Sequence, residues 1–300
     1  MQKHAYLIIA HSQFEILNYF LRALDDERND IYIHIDKKVE MPTISDLKTN
    51  VFFLGDRLDV RWGDYSQIEV ELNLFETAYL SQKKLGVEYQ YYHLLSGQDL
   101  PIKSQNYIHD FFTQNKGKEF LGYFQGDLTR ELTHKMCIYH LFPRHFSKDG
   151  SNLLMRIIRA TFSRLQLINK RGVRNLDLPK VRGTNWCSIT NDFVKYLLSK
   201  KEYIRRRFRY TFCADEIYKH IICFDSQFYK YLYDSTDEAN GCKRYCNWVI
   251  VDAGWSYLPA LELKDKESLK NSTALFARKF DEEHLDIVEY VINNLARNDR

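Results

Sequence analysis

Short apolar runs alternate with stretches of helical spacing through the first 125 residues. Ala5–Ala10 (AYLIIA) is apolar throughout, the pattern of a strand buried on both faces. Phe14, Leu17, Phe20, Leu21 and Leu24 then recur at helical spacing. Ile31–Asp36 (IYIHID) and Val51–Leu54 (VFFL) predict a second and a third strand, and Tyr65–Leu80 a helix with Ser66 near its start. Tyr89–Leu95 predicts a strand that ends in the polar turn Ser96-Gly97-Gln98-Asp99. A helix over Asn106–Gln114 and a strand over Glu119–Phe124 follow. Strands alternating with helices imply an α/β fold, its mostly parallel central sheet covered by helices. In such sheets ligands bind beyond the carboxyl ends of the strands. The pattern sets His11, Asp36, Trp62-Gly63 and Gln98-Asp99 there.

The second half is more elaborate. Ser151–Lys170 carries Leu153, Leu154, Ile157, Ile158, Phe162 and Leu165 as one stripe, with Arg156, Arg159, Arg164 and Lys170 beside it. Packing on the rest of the chain is the ordinary fate of such a helix; a position on anionic lipid is the alternative. A strand over Asn185–Thr190, a helix over Asn191–Ser199 and the arginine-rich Tyr203–Arg209 come next. Cys213-Ala214-Asp215-Glu216 is expected to open a helix, Tyr245–Val251 to form a strand and Glu282–Leu295 a terminal helix. No repeat, low-complexity tract or linker interrupts the chain, so one domain over residues 1–300 is expected.

Composition narrows the classes. With 300 residues, 45% hydrophobic and 28% charged, the chain can bury a sizeable core and is not a disordered polymer. No uncharged apolar run reaches the roughly 18 residues needed to cross a bilayer. The opening MQKHAYLIIAHSQFE lacks the features of a secretory signal, so a cytoplasmic location is expected. The six cysteines are dispersed without a CxxC pair, which suits reduced, buried thiols. His134-x2-Cys137-x2-His140 is the nearest approach to a metal pattern, and a zinc site would need further ligands.

Charge changes the picture more. The net charge is +3, yet Arg130–Tyr210 holds 19 Lys and Arg against 5 Asp and Glu. That local excess of 14 suits an anionic partner such as phosphate, nucleic acid or a membrane surface. The 21 Tyr and 19 Phe could serve as sugar platforms or reflect genome composition.

The chain has no GxGxxG, P-loop, GxSxG or HExxH motif, and no Asp-x-Asp pair of the kind that holds a divalent metal on a nucleotide sugar. Several segments together resemble the Core-2/I-branching glycosyltransferases, which include β-1,6-N-acetylglucosaminyltransferases and peptide-O-xylosyltransferases. They are Ala10-His11, Tyr32–Lys38 (YIHIDKK), Trp62-Gly63-x-x-Ser66, Tyr92–Lys103 (YHLLSGQDLPIK), Gly183-Thr184-x-Trp186, Asp215-Glu216 and Leu275–Asp281 (LFARKFD). They occur in family order and span nearly the whole chain.

The resemblance implies a GT-A-type fold, a UDP-sugar donor, inversion at the anomeric carbon and no metal or other cofactor. It implies a nucleotide-sugar half over 1–125 and an acceptor-binding and catalytic half over 126–300. A bacterial member on the cytoplasmic side fits, peripheral on the inner membrane face if the basic segment meets anionic lipid.

An acceptor alcohol needs a general base, and Glu216 matches the family's catalytic Glu. Asp215 would cap the helix or orient a neighbour. Lys279 and Arg244 match the diphosphate-binding pair, doing with side-chain cations what a metal does elsewhere. Arg278 could substitute. Ala10, His11, Asp36 and Trp62 match the nucleotide site, although Trp62 could equally be core. Gln98, Asp99 and Trp186 would face donor or acceptor sugar, and Glu119 and Arg130 lie where acceptor contacts are expected.

The leading reading is transfer of GlcNAc from UDP-GlcNAc to a hydroxyl of a surface polysaccharide or lipid-linked oligosaccharide. Xylose from UDP-xylose is the alternative within the family. A non-catalytic nucleotide- or glycan-binding protein on the same fold is the alternative of another class. A nucleic-acid binder is disfavoured, because no recognised module accompanies the basic block.

Overall fold

A computed structural model of the chain describes residues 2–141, 152–168, 174–251 and 255–297. Its elements are, in order, β1 (Gln2–Ala10), α1 (Phe14–Ala23), β2 (Asn29–Ile35), β3 (Asn50–Phe53), α2 (Ser66–Leu85), β4 (Glu88–Ser96), β5 (Leu100–Pro101) and α3 (Gln105–Gln114). Then come α4 (Thr129–Met136), α5 (Leu153–Ile168), β6 (Cys187–Thr190), α6 (Asn191–Ser199), α7 (Lys201–Phe208) and α8 (Tyr218–Phe224). The last are α9 (Glu238–Cys242), β7 (Arg244–Cys246), β8 (Val249–Val251), β9 (Trp255–Tyr257), α10 (Lys266–Asn271), β10 (Phe276–Arg278) and α11 (Leu285–Tyr290).

The main sheet has the order β3-β2-β1-β4-β6, parallel except for β6. Side-chain alternation splits each strand between two cores. Tyr6, Ile8 and Ala10 of β1 pack with α1, α3 and α11 on one face. Ala5 and Leu7 pack with α2, α6, α7 and α8 on the other. Both faces are covered, as the uniformly apolar AYLIIA run requires. Among the described residues no helix is long and apolar enough to cross a membrane. The six cysteines are free thiols, five of them buried.

A second, three-stranded sheet, β5-β10-β7, sets the C-terminal motif against the Ser96–Asp99 turn. β10 runs antiparallel to β5, pairing Phe276 with Pro101 and Ala277 with Leu100. The Phe280 N–H donates to the Gln98 carbonyl at 2.9 Å and continues that pairing.

Four expectations need correction. Glu119–Phe124 is not a strand: it makes isolated bridges from Glu119 to Leu232 and Phe120 to Ser188. Beyond them the Gly122 carbonyl accepts from His220 Nε2 and the Phe124 N–H turns to Arg182. Tyr245–Val251 is two strands in different sheets, β7 and β8, broken at Asn247-Trp248. Cys213–Glu216 forms a 3₁₀ turn ahead of α8, entered through Cys213 at φ 47°. The terminal helix starts only at Leu285, because Asp281 accepts from the Glu283 N–H and His284 Nδ1 and closes a separate turn. Helix α4 lies in a stretch for which the pattern predicts no element; residues 142–150 of that stretch, and Ser151 and Lys170 at the ends of the basic helix, lie outside the described residues.

Candidate active site

The carboxyl ends of β1, β2 and β4 meet at one edge. The Ala10 carbonyl accepts the Asp36 N–H at 2.9 Å, and the Ile9 carbonyl accepts the Gly97 N–H at 2.9 Å. His11 follows Ala10, its ring partly covered and partly open to solvent. Burial of its ring lowers the imidazole pKa, Asp36 opposes this, and Lys38 and Lys279 add to it. Lys279 of the C-terminal motif therefore acts on the same space as His11 and Asp36.

Asp36 is only 3% exposed. Its carboxylate accepts the Lys38 N–H and Nζ, each at 2.8 Å, and the Val60 N–H at 3.2 Å. It thereby ties the segment leading to Trp62 onto the end of β2. Trp62 itself is 61% exposed, its ring edge-on to Phe212 with centroids 5.1 Å apart. That exposure excludes the core role.

Gly63 explains the rest of the motif. It sits at φ 75°, and a Cβ there would lie 2.3 Å from the Phe212 ring. Its carbonyl accepts the Cys213 N–H at 3.3 Å, and its N–H donates to Gln67 Oε1. Gln67 Nε2 in turn donates to Asp215 Oδ2 at 2.9 Å. The Trp62–Ser66 segment thus holds the turn that carries Glu216.

Asp215 is buried, and its carboxyl is pushed upward by desolvation and by the charges of Glu216 and Glu71. It does not cap α8; it takes the Gln67 hydrogen bond. Below the turn Lys219 reaches Glu71 and donates to the Asp215 carbonyl at 3.2 Å, while Tyr218 Oη donates to Glu71 at 2.7 Å. Removing either member of this buried ion pair would strand the other.

Glu216 points the opposite way. Its side chain is 39% exposed, with Lys135 Nζ 3.4 Å from Oε2. Lys135 also meets Glu131 at 2.7 Å, and Arg182 meets Glu131 at 3.0 Å. Burial lowers the Lys135 pKa, but Glu216 and Glu131 outweigh it and hold the ammonium above its ordinary value. A carboxylate half open to solvent and fixed by a neighbouring cation can take a proton from a bound alcohol.

A close backbone crossing joins Glu216 to the second sheet. The Gly183 N–H donates to the Glu216 carbonyl at 3.1 Å. A Cβ on Gly183 would fall 1.8 Å from the Gly122 carbonyl oxygen and 2.7 Å from His220 Nε2, so the crossing requires glycine. Three residues on, Trp186 lies under the Arg278 guanidinium, 4.3 Å from Cζ to the ring centroid. Arg278 Nε is 3.5 Å from Asp99 Oδ1, and Asp99 Oδ2 accepts the Ser96 N–H at 2.9 Å. Desolvation raises the Asp99 pKa, with Arg278 opposing it. Gln98 contributes backbone bonds to Ser96 Oγ and Phe280.

Arg244 is placed differently from Lys279. It is 2% exposed, and its guanidinium donates to the Cys242 carbonyl at 2.7 Å, the Cys187 carbonyl at 2.9 Å and Ser188 Oγ at 3.1 Å. Its Cζ stands 4.6 Å from the Phe276 ring centroid. Arg244 ties β6 to β7 from within, whereas half-buried Lys279 follows β10 toward His11.

Glu119 is also interior, 1% exposed, accepting from the Thr190 N–H and Oγ1 at 2.9 and 2.5 Å. His140 Nε2 bonds the His134 carbonyl, and among the described residues no three His, Cys, Asp or Glu gather as a metal-ligand set. Sequence reasoning did not single out Gln67, Lys135, Glu131 or Arg182. No pattern marks them, because each acts across more than 45 residues of chain or lies in the basic block.

A family model described as Core-2/I-Branching enzyme matches residues 4–259. The chain is also similar to the beta-1,3-galactosyl-O-glycosyl-glycoprotein beta-1,6-N-acetylglucosaminyltransferase of Bos taurus, 29% identical over 106 residues. The protein of that name in Homo sapiens matches equally, 29% over 106 residues. Each match covers 33% of this chain and 24% of the relative, so the chain spans about a quarter of the length of the curated relatives it matches. The chain belongs to the Core-2/I-branching enzyme family.

Proposed function

We propose that the chain is an inverting glycosyltransferase that moves GlcNAc from UDP-GlcNAc to a hydroxyl of a glycan. A lipid-linked oligosaccharide or surface polysaccharide is the acceptor we expect beside the basic 130–210 segment. The observation that carries this reading is the position of Glu216: open to solvent, fixed by Lys135, and linked by Gly183, Trp186 and Arg278 to Lys279. The choice of GlcNAc follows the names of the two relatives.

In this reading Glu216 takes the acceptor hydroxyl proton while the oxygen attacks the anomeric carbon on the face opposite UDP. The glycosidic C–O bond to the diphosphate breaks with its electron pair going to UDP. One carboxylate suffices, because UDP leaves without prior protonation. Lys279 meets the diphosphate charge, with Arg278 beside it, so no divalent metal is needed. Trp62 borders the uracil at the end of this loop, and Asp36 keeps the loop in place. Trp186, Gln98 and Asp99 border the sugar. Arg244 acts indirectly, by tying β6 to β7, the strand that pairs with β10 ahead of Lys279.

The test is a panel of UDP-GlcNAc, UDP-xylose and UDP-glucose with oligosaccharide acceptors, with and without EDTA. Released UDP and the anomeric configuration of the product are measured. A β-linked GlcNAc product formed equally in EDTA is expected. UDP-sugar binding without UDP release from any donor would indicate a non-catalytic binding protein. Loss of turnover in EDTA and its return with Mn²⁺ would contradict the metal-free step.

A further inference from the structure

Helix α5 is attached to the chain by its polar side. Gln166 is buried and brackets the backbone of one residue, its Oε1 accepting the Tyr139 N–H at 2.8 Å and its Nε2 donating to the Tyr139 carbonyl at 3.0 Å. Arg159, on the same face, acts on the imidazoles of His134 and His140. Phe162 and Met155 are half-buried alongside.

The outward face is apolar. Leu153, Leu154, Ile157, Ile158, Leu165 and Ile168 are each between 45% and 80% exposed. At about 100° per residue they fall within an arc of roughly 140°, away from Arg159 and Gln166. A helix on a globular surface turns its apolar stripe inward; this one is reversed. A continuous exposed apolar face marks an interaction surface.

Charge selects the partner. Residues 152–168 contain no Asp or Glu, while Arg156, Arg159 and Arg164 lie among them. The surrounding Arg130–Tyr210 stretch carries the excess of 14 positive charges. Sixteen residues are too few to span a bilayer. An apolar arc that carries Arg164 near one edge, with Arg156 about 60° beyond that edge, meets the requirements for a helix lying in the headgroup boundary of an anionic membrane. We propose that α5 is an in-plane docking helix for an anionic bilayer. Its exposed leucines and isoleucines enter the acyl boundary, and Arg156 and Arg164 meet lipid phosphates. The inference rests on the exposure and charge of α5 and does not depend on the proposed reaction.

The test is flotation of the full chain with vesicles of equimolar phosphatidylglycerol and phosphatidylcholine, and with phosphatidylcholine alone. The wild type should bind the anionic vesicles and not the neutral ones. The Ile157→Glu/Leu165→Glu variant should partition roughly a hundredfold more weakly. Arg156→Gln/Arg164→Gln should bind more weakly at low salt and converge with wild type as salt rises. Unchanged thermal unfolding midpoints show that the variants remain folded. Equal partition of wild type and Ile157→Glu/Leu165→Glu, or equal binding to neutral vesicles, would overturn the proposal. So would a wild type that ignores vesicles but sediments as a dimer that Ile157→Glu/Leu165→Glu dissociates, since a second copy would then be the occupant.

Discussion

Arg278 stands directly opposite Asp99 across the antiparallel pairing of β10 and β5. The register that pairs Phe276 with Pro101 and Ala277 with Leu100 brings Arg278 Nε to 3.5 Å from Asp99 Oδ1. The guanidinium also rests on Trp186. One strand register therefore unites three motifs that are 181 residues apart at their extremes, the Gln98-Asp99 turn, the Gly183–Trp186 loop and the terminal Arg278-Lys279. Asp99 is 1% exposed, so its partner holds a charge that would otherwise be stranded. Asp99→Asn should lower stability by ~3 kcal/mol in urea unfolding. Adding Arg278→Gln should recover part of that loss. Additive losses in the double variant would show that the two charges do not interact.

Lys279 and Arg244 should separate in their effects. Lys279→Ala removes a half-buried cation near His11 and should weaken UDP binding about tenfold, leaving the unfolding midpoint unchanged. Arg244→Ala deletes donors to two buried carbonyls and Ser188 Oγ, so it should cost on the order of 3 kcal/mol of stability. Calorimetric titration with UDP and denaturant unfolding of both variants check this. The reverse pattern would put Arg244 on the diphosphate.

Gln67 is a positioning residue for the Asp215–Glu216 turn, since it joins the Gly63 N–H to the Asp215 carboxylate. Gln67→Leu should lower kcat about tenfold and leave the donor KM within twofold. A change confined to KM, or none, would remove Gln67 from this role.

Glu119 sets a pH dependence of stability. Burial raises its carboxyl to about 7 against the ordinary 4.5, the Thr190 hydrogen bonds opposing. Between those pH values the unfolded chain releases a proton that the folded chain keeps, so this residue's contribution falls as pH rises from 4.5 through 7. Glu119→Gln removes the titration and can still accept from Thr190. Its stability relative to wild type should increase across that window by at most ~3 kcal/mol and level off above it. A difference independent of pH in denaturant midpoints from pH 4 to 8 would contradict the assignment.

Much of the fold was legible because its strands are short apolar runs and its helices keep their period. Asn191–Ser199 was read to the residue, since Thr190 caps it and the Phe193, Val194 and Leu197 face is buried. Glu119–Phe124 departs from a strand because its apolar residues fill the two cores, Phe120 against β4 and α3, while its backbone makes only isolated bridges. The motifs brought out Glu216, Asp99, Trp186 and Lys279. They could not show that Asp36 accepts from Lys38 and Val60, or that Arg244 faces inward, because both depend on contacts across the fold. Lys135 and Gln67 had no signal for the same reason. The sequence left two directions open for the apolar stripe of α5, packing inward or facing lipid, since a stripe does not say which way it turns; the side chains face outward.

Turnover and UDP affinity of Glu216→Gln, measured on the same preparation, bear most directly on the assignment of the base. The amide keeps the size of the side chain and loses its proton affinity, so kcat should fall by at least about a hundredfold. The Kd for UDP should stay within twofold of wild type. Turnover within a few-fold of wild type would mean that another group takes the acceptor proton.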